Sequence, residues 1–422
     1  MKIKKVHFED HPFFGTMDID FSGSNGSRTL NTVVVAGING SGKTTLLNAI
    51  VDMMTDADNR LEKSYVEVEL TELYEKNLLK WKLVDIDSLF LEGDEEKERR
   101  RELIKFNAGM KGKNRYFTDK FKELENGEKP RIVYMPTEIN FSKIKIETTP
   151  YAYKYKFLNI VDESVAKDVP NYFATYIDRY VYSRDQLLAE SIKLACDEIN
   201  SIFRELEMES WITGLKKDGS RMPIFQNKAG KEFDITGLSS GEMQLFLRII
   251  SLKMMDINNS VILVDEPEIS LHPSWQQRII KVYENIGTNN QVIAATHSPH
   301  VVSSVPKENL RILLVEPPGI QVLGYRDLRN SYGVPIKRVL KDIMLLKSDR
   351  DPGIQARIDG LKSDLKQVNY DPAKFETTFN ELEEILGTTD EELIRIKMDK
   401  LRKEKKARDV ENRKSGRTPG IH

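Results

Sequence analysis

Gly37-Ile38-Asn39-Gly40-Ser41-Gly42-Lys43-Thr44 is the stretch on which the fold turns. It follows an apolar run, Thr32–Ala36, and precedes a helical pattern from about Lys43 to Met54. A G-x-x-x-x-G-K-[ST] loop between a strand and a helix is built to cradle phosphates. Its glycines allow tight turns that aim consecutive N–H groups inward. The helix N-terminus behind them adds partial positive charge. In that arrangement Lys43 reaches the β- and γ-phosphates of ATP, and the Thr44 hydroxyl holds Mg²⁺. The candidate nucleotide-binding set here is Gly37, Asn39, Gly40, Ser41, Gly42, Lys43, Thr44 and Thr45.

Other segments supply matching chemistry. Val261-Ile262-Leu263-Val264 is an unbroken apolar run that ends in Asp265-Glu266. Asp265 is the candidate Mg²⁺ ligand through water, and Glu266 the carboxylate that orients or deprotonates an attacking water. Glu268 reads either as a supporting charge or as a plain surface residue. Val292–Ala295 closes on Thr296-His297-Ser298, where His297 is either a γ-phosphate contact or a structural histidine. Leu238-Ser239-Ser240-Gly241-Glu242-Met243-Gln244 carries S-x-x-E, a capping box at the start of an apolar helix. The same residues, Ser239, Ser240, Gly241 and Glu242, also make a helix N-terminus whose N–H groups and hydroxyl suit a γ-phosphate.

Taken in order, GINGSGKT, LSSGEMQ, VILVDEPEISLHP and ATHSP resemble the Walker A, signature, Walker B with D-loop, and H-loop segments of ABC-type ATPases. The DEPE-x-x-LHP wording and the long insertion before LSSGEMQ resemble the SMC, RecF and OLD branch of that family. The resemblance covers roughly residues 1–335. It implies an α/β P-loop ATPase head with ATP and Mg²⁺ as cofactors. It assigns the catalytic roles to Lys43, Glu266 and His297, and the metal to Thr44 and Asp265. It further implies a homodimer, or a higher even-numbered oligomer, in which Ser240 and Gly241 of one copy close over ATP held by Lys43 of the other. The family's Q-loop glutamine is not evident after Arg131–Met135; Glu138 and Asn140 are the candidate substitutes. Phe13 or Phe14 is the candidate for stacking on adenine, unless both are core.

The remaining chain is read from its patterning. Strands are expected at Lys2–Phe8, Thr16–Phe21, Tyr65–Leu70, Trp81–Leu83, Arg131–Met135 and Ile312–Val315, with short polar strands near Arg221–Gln226 and Glu232–Ile235. A charged helix is expected at about Gly93–Phe106, and residues 150–212 read as mainly helical. Unalternating apolar runs between helical patterns imply a parallel sheet covered on both faces. The expected domains are a head at 1–335, with an insertion at 55–130 and a helical lobe at 150–222, and a helical extension at 336–422. Within the extension, 395–417 carries eleven Lys and Arg against four Asp and Glu, a solvated helix end or a surface for a partner or a phosphate backbone.

Composition narrows the function classes. Of the 422 residues, 39% are hydrophobic and 31% charged, as in a soluble globular protein with long exposed helices. The net charge of −2 supplies no global attraction to nucleic acid, so any such contact is local. The single cysteine, Cys196, excludes an internal disulfide and a cysteine-based zinc site or hook. No run nears the roughly 18 apolar residues of a membrane helix, so a cytoplasmic, membrane-free protein is expected. Ile312–Glu316 lacks the following D-x-D of a nuclease strand, which makes Glu316 structural and any effector a separate chain. The tail shows helical periodicity in PIKRVLKDIMLL, IQARIDGLKSDLKQ, FETTFNELEEILG and EELIRIKMDKLRK. This arrangement, with the acidic TTDEEL turn after LEEILG, resembles the C-terminal helices of Septu-type ATPases of two-gene anti-phage systems, whose partner is an HNH nuclease. The expected function is thus an ATP-hydrolysing dimeric switch that controls a separate nuclease in anti-phage defence. Its rivals are a RecF-like DNA-repair ATPase and a nucleotide sensor that gates assembly without turnover.

Overall fold

The computed structural model describes residues 1–24, 28–55, 61, 63–69, 103–106, 111–124, 128–137, 155–161, 173–178, 187–218, 222–316, 319–346, 348, 350–367 and 370–414. In chain order they form β1 (Lys2–His11), β2 (Gly15–Asp20), β3 (Thr32–Gly37), α1 (Lys43–Thr55), β4 (Tyr65–Glu69), β5 (Leu103–Phe106) and α2 (Lys111–Lys122). Then come β6 (Ile132–Met135), β7 (Leu158–Ile160), α3 (Leu188–Glu205), β8 (Ser210–Leu215), β9 (Pro223–Asn227), β10 (Glu232–Asp234), α4 (Ser240–Met255) and β11 (Val261–Asp265). The last part holds α5 (Pro273–Gln276), α6 (Ile279–Glu284), β12 (Gln291–Thr296), α7 (Pro299–Ser303), β13 (Leu310–Glu316), β14 (Gly319–Leu323), α8 (Ile336–Asp342), α9 (Pro352–Lys366), α10 (Pro372–Leu386) and α11 (Glu391–Lys414). The chain separates into two compact units, 1–344 and 345–422.

The first unit is organised by a seven-stranded sheet of order β14-β13-β3-β12-β11-β6-β7. All its pairings are parallel except the terminal β13–β14 hairpin. The unalternating apolar runs have a direct cause here. Because successive strand residues point to opposite faces, Val33, Val35, Val261, Leu263, Ile293 and Ala295 enter one core, while Val34, Ala36, Ile262, Val264, Val292 and Ala294 enter another. The first core also takes the apolar face of α1, and the second that of α4. Each Val, Leu or Ile among them, fully withdrawn from water, contributes roughly 1.5–3 kcal/mol, and each Ala less. The unit is therefore α/β, with both faces of the sheet covered.

Two further sheets flank this one. β2-β1-β4-β5 is antiparallel, so residues 65–69 and 103–106 extend the N-terminal hairpin. Buried Gln291, the first residue of β12, accepts a hydrogen bond from Ile3 N at 2.6 Å and donates to the carbonyls of Ile3 and Leu30 at 2.8 and 2.9 Å. A single side chain thereby clips β1 to the central sheet. β10-β9-β8 forms the second antiparallel sheet, joined to α3 by Asn200, whose amide pairs with both backbone groups of Ile212 at 2.8 Å.

The described residues of the second unit form three helices around Ile358, Leu361, Phe375, Phe379, Leu382, Leu393 and Ile396. α9 and α10 start alike, with Asp351 or Asp371 accepting from two backbone N–H groups and a proline following at the first helical position. That pairing satisfies orphan donors and presets φ. Among the described residues no helix is long and apolar enough to cross a membrane.

Several expectations need correction. The end of the charged helix expected at Gly93–Phe106 is a strand, because Leu103–Phe106 pairs with β4. Residues 150–212 include β7 and the start of β8 besides α3 and a helical stretch at 173–178. The polar hairpin gains β8 as a third strand, whose Trp211 and Ile212 were read as helical. β14 follows Pro317-Pro318 and returns along β13, so the turn residues mark a hairpin. The expected strand Trp81–Leu83, and Glu138 and Asn140, lie outside the described residues.

Candidate functional site

β3, β12, β11 and β6 lie side by side and run in one direction. Register brings their carboxyl ends level: Thr296 faces Ala36, Asp265 faces Ala295, and Met135 faces Val264. The loops leaving these ends carry Gly37–Lys43, His297, Asp265-Glu266 and Pro136-Thr137. In an open parallel sheet this crevice is where ligands bind.

The glycine loop needs its glycines for three separate reasons. A Cβ on Gly37 would sit 2.6 Å from both Leu313 O and Ser41 Oγ. Gly40 has φ +78° with open space around it, so backbone conformation alone demands glycine there. Gly42 combines φ +92° with a Cβ position 2.2 Å from a Phe13 ring carbon. Asn39 and Gly40 are exposed on the loop, Ser41 is buried, and Thr44 and Thr45 are exposed on the first turn of α1. No acidic residue lies in that turn to compete for its N–H groups.

Lys43 is nearly buried and donates to the carbonyls of Gly37 and Ile38, both at 3.0 Å, and to Ser41 Oγ at 3.3 Å. Burial holds its ammonium down to about 8, while the carboxylates of Asp265, Glu266 and Glu268 pull it upward. The Thr44 hydroxyl donates to Asp265 Oδ2 at 2.9 Å. The hydroxyl of Thr137 donates to that same oxygen, also at 2.9 Å.

Glu266 adopts φ +45°, a conformation costing a non-glycine residue roughly 1–2 kcal/mol. Its N–H donates to Ala295 O at 2.9 Å and its carbonyl accepts from Ile269 N at 3.1 Å, which locks the turn. The carboxylate then lies 3.5 Å from His297 Nε2. Burial, and the nearby Lys43 charge, hold the imidazole below its ordinary value and so favour its neutral form, against the opposing pull of Glu266.

Glu268 is not a surface residue. Its Oε1 accepts from Thr296 Oγ1 at 2.5 Å, from His297 N at 2.9 Å and from Ser298 N at 3.1 Å. Burial pushes its carboxyl up, against those bonds. The side chain therefore fixes the backbone that carries His297.

The LSSGEMQ residues sit apart from this cluster. Ser239 caps α4, with its hydroxyl accepting from Glu242 N at 3.3 Å and the Glu242 carboxylate accepting from Ser239 N at 3.0 Å. Gly241 packs against the turn after β11, where a Cβ would meet Ser270 O at 2.3 Å. The described contacts of Ser239, Gly241 and Glu242 are thus with α4 itself and with this turn, not with Gly37–Thr45. Ser240 is exposed beside them. Of the two aromatic candidates, Phe14 is core, stacked on Phe8 with ring centroids 4.5 Å apart, whereas Phe13 is 41% exposed beside Gly42.

The residues present fit a nucleotide with a hard cation. Thr44, Thr137 and Asp265 are all oxygen donors, the type Mg²⁺ takes. Among the described residues no group of three or more His, Cys, Asp or Glu could hold a metal by itself. A cation at this place would rely on the one carboxylate of Asp265 together with hydroxyl, phosphate and water oxygens; one or two carboxylates with phosphates and waters is the usual habit of Mg²⁺. Sequence reading missed Thr137, and left Glu268 open between a supporting charge and a surface residue. The signal for Thr137 was its place two residues past the apolar run ending at Met135, level with the other strand ends.

Comparison with known proteins adds family context. Residues 33–303 match the family model described as AAA domain, putative AbiEii toxin, Type IV TA system. The chain is 30% identical over 134 residues to the retron Vc95 probable ATPase of Vibrio cholerae serotype O1 biovar El Tor, covering 32% of this chain and 26% of that protein. It is also 30% identical over 120 residues to the Septu protein PtuA of Bacillus thuringiensis, covering 28% of this chain and 30% of that one. These matches thus span less than a third of each relative's length. Among solved structures, the SMC head domain from Thermotoga maritima aligns with 77% of this chain and 99% of its own, at 16% identity and a TM-score of 0.40.

Proposed function

This chain belongs to the AAA domain family described as putative AbiEii toxin, Type IV TA system, and on that premise we propose that it binds ATP with Mg²⁺ and hydrolyses it as a two-copy switch. The observation that carries this reading is the meeting of Lys43, Thr44, Asp265, Glu266 and His297 at three adjacent strand ends. Backbone N–H groups of the glycine loop and the start of α1 receive the phosphates. Lys43 exchanges its bonds to Gly37 and Ile38 for phosphate oxygens. Thr44 and Asp265 hold Mg²⁺, which when bound neutralises charge on those oxygens. Glu266 accepts the proton of the attacking water, and neutral His297 donates to the terminal phosphate. Ser240 and Gly241 of a second copy close the site from the opposite side, since the described contacts of Ser239, Gly241 and Glu242 in the same copy do not include Gly37–Thr45.

The wider role we read is control of a separate effector, a nuclease, in anti-phage defence. It is supported by the likeness to relatives named as a retron ATPase and a Septu protein. The test is phosphate release from ATP and Mg²⁺, with size-exclusion chromatography in ATP. Lys43→Ala is expected to lose about 10²–10³-fold in turnover, as for removal of one preorganised charge donor. Glu266→Gln is expected to lose turnover yet elute as a dimer with ATP bound. A wild-type protein that releases no phosphate, or a Glu266→Gln variant that stays monomeric in ATP, overturns the reading. The effector part is tested separately, by mass spectrometry of proteins that copurify with the chain from its native host.

A further inference from the structure

We infer that Thr137 is a third protein oxygen at the divalent-cation site, held in place by Arg248 reaching out from α4. This rests on the reading of Thr44 and Asp265 given above. The argument begins with Asp265 Oδ2, which accepts from Thr44 Oγ1 and from Thr137 Oγ1 at the same 2.9 Å. One carboxylate oxygen has lone pairs for two such donors. Each hydroxyl, having turned its proton to Asp265, keeps its own lone pairs for another partner. Two hydroxyl oxygens oriented by one shared carboxylate form a hard-donor pair that suits a cation preferring oxygen. Thr44 alone would need no such twin.

The setting of Thr137 is built for the purpose. It leaves the carboxyl end of β6 after Pro136, whose fixed φ stiffens the turn. Arg248 lies behind that turn and is 2% exposed. Its Nη2 donates to Pro136 O at 3.0 Å and to Thr137 O at 2.8 Å. Its Nε and Nη1 have no hydrogen-bond partner among the described residues. A buried guanidinium left partly unpaired is costly. Apolar side chains could pack α4 against the sheet without that cost. What the arginine adds is a double clamp on the two carbonyls flanking Thr137. It thereby connects the cation to the helix that starts at Ser239.

The test uses the full chain and Mn²⁺ as a spectroscopic stand-in for Mg²⁺. Mn²⁺ affinity is followed by electron paramagnetic resonance in the presence of a non-hydrolysable ATP analogue. Analogue affinity is measured separately in EDTA. Thr137→Val keeps the shape of threonine and removes only the hydroxyl. It is expected to weaken Mn²⁺ about tenfold, the low end for loss of a ligand-supporting group, with analogue affinity in EDTA and melting temperature unchanged. Thr137→Ser is expected to restore Mn²⁺ binding. Arg248→Lys, which keeps the charge but not the double clamp, is expected to weaken Mn²⁺ with Thr137 intact. Unchanged Mn²⁺ affinity in Thr137→Val overturns the ligand assignment, and unchanged affinity in Arg248→Lys overturns the anchor. A wild type that fails to bind the analogue even without metal overturns the nucleotide reading itself, a result distinct from either of these.

Discussion

Gly241→Ala tests whether the start of α4 is as close to the turn after β11 as described. At the second position of a helix, alanine should help, by less than the roughly 1 kcal/mol it gains over glycine in a helix interior. Here its Cβ would sit 2.3 Å from Ser270 O, about 1 Å inside ordinary contact. That carbonyl cannot swing away cheaply. Ser270 already has φ +60°, and the turn is pinned by Ile269 N to Glu266 O at 3.1 Å and Leu271 N to Glu268 O at 3.0 Å. Forcing one methyl into such a place costs roughly 1–3 kcal/mol. The net loss should be about 1–2 kcal/mol, and the displaced turn is the one that orients Glu266. Urea unfolding followed by tryptophan fluorescence measures the first effect, and phosphate release the second. Adding Ser270→Gly frees that backbone, so the double variant should recover part of the loss. If Gly241→Ala is as stable and as active as wild type, the contact is not there.

Other outcomes follow from the same geometry. Because Lys43 has a value of about 8 in the free protein, and phosphates would favour its charged form and raise it, nucleotide binding should take up a proton above pH 8. ATP affinity should then fall as pH rises past 8, and calorimetry in buffers of different ionisation enthalpy should report the uptake; Lys43→Met should abolish it. The two neighbouring aromatics should separate by assay. Phe14→Ala empties a core position and should cost about 3–5 kcal/mol of stability, whereas Phe13→Ala, at an exposed ring beside the glycine loop, should leave stability within about 0.5 kcal/mol and weaken nucleotide binding. An unchanged nucleotide affinity in Phe13→Ala would remove that ring from the site.

What the sequence made legible was whatever rests on local pattern. A strand buried on both faces must be apolar throughout, so Val33–Ala36, Val261–Val264 and Val292–Ala295 announced themselves. Gly37–Thr44 did so because phosphate binding dictates residue type at fixed spacing. Thr137 and Arg248 were hidden because nothing local marks them, and for the same reason Glu268 stayed open between a supporting charge and a surface residue. Threonine after a strand, arginine in a helix and a third acid after Asp265-Glu266 are each ordinary in solvent. Only the sheet order brings Thr137 to Asp265 across 128 residues, and only the parallel pairing of β11 with β12 brings Glu268 beneath His297. The strand at Leu103–Phe106 was misread because helical charge spacing dominates the residues before it, while its pairing partner lies in β4. Phe13 and Phe14 could not be told apart until the hairpin turned one ring inward.

The order of the central strands also dictates when the crevice can come into being. β12 lies between β3 and β11 yet is the last of the three to leave the ribosome, some 260 residues after β3. Until residues 291–296 arrive, β3 and β11 have no common neighbour, and the Gly37 loop and Asp265 belong to separate pieces. A nascent chain that stops before residue 291 thus carries the glycine loop and the acidic strand end without a crevice to unite them. Late insertion of a middle strand is the kind of long-range step that folds slowly and exposes bare sheet edges while it waits. Gln291, at the leading end of that strand, fastens Ile3 and Leu30 as it enters. β1 and β12, far apart in the chain, are therefore locked together in the same event that completes the crevice.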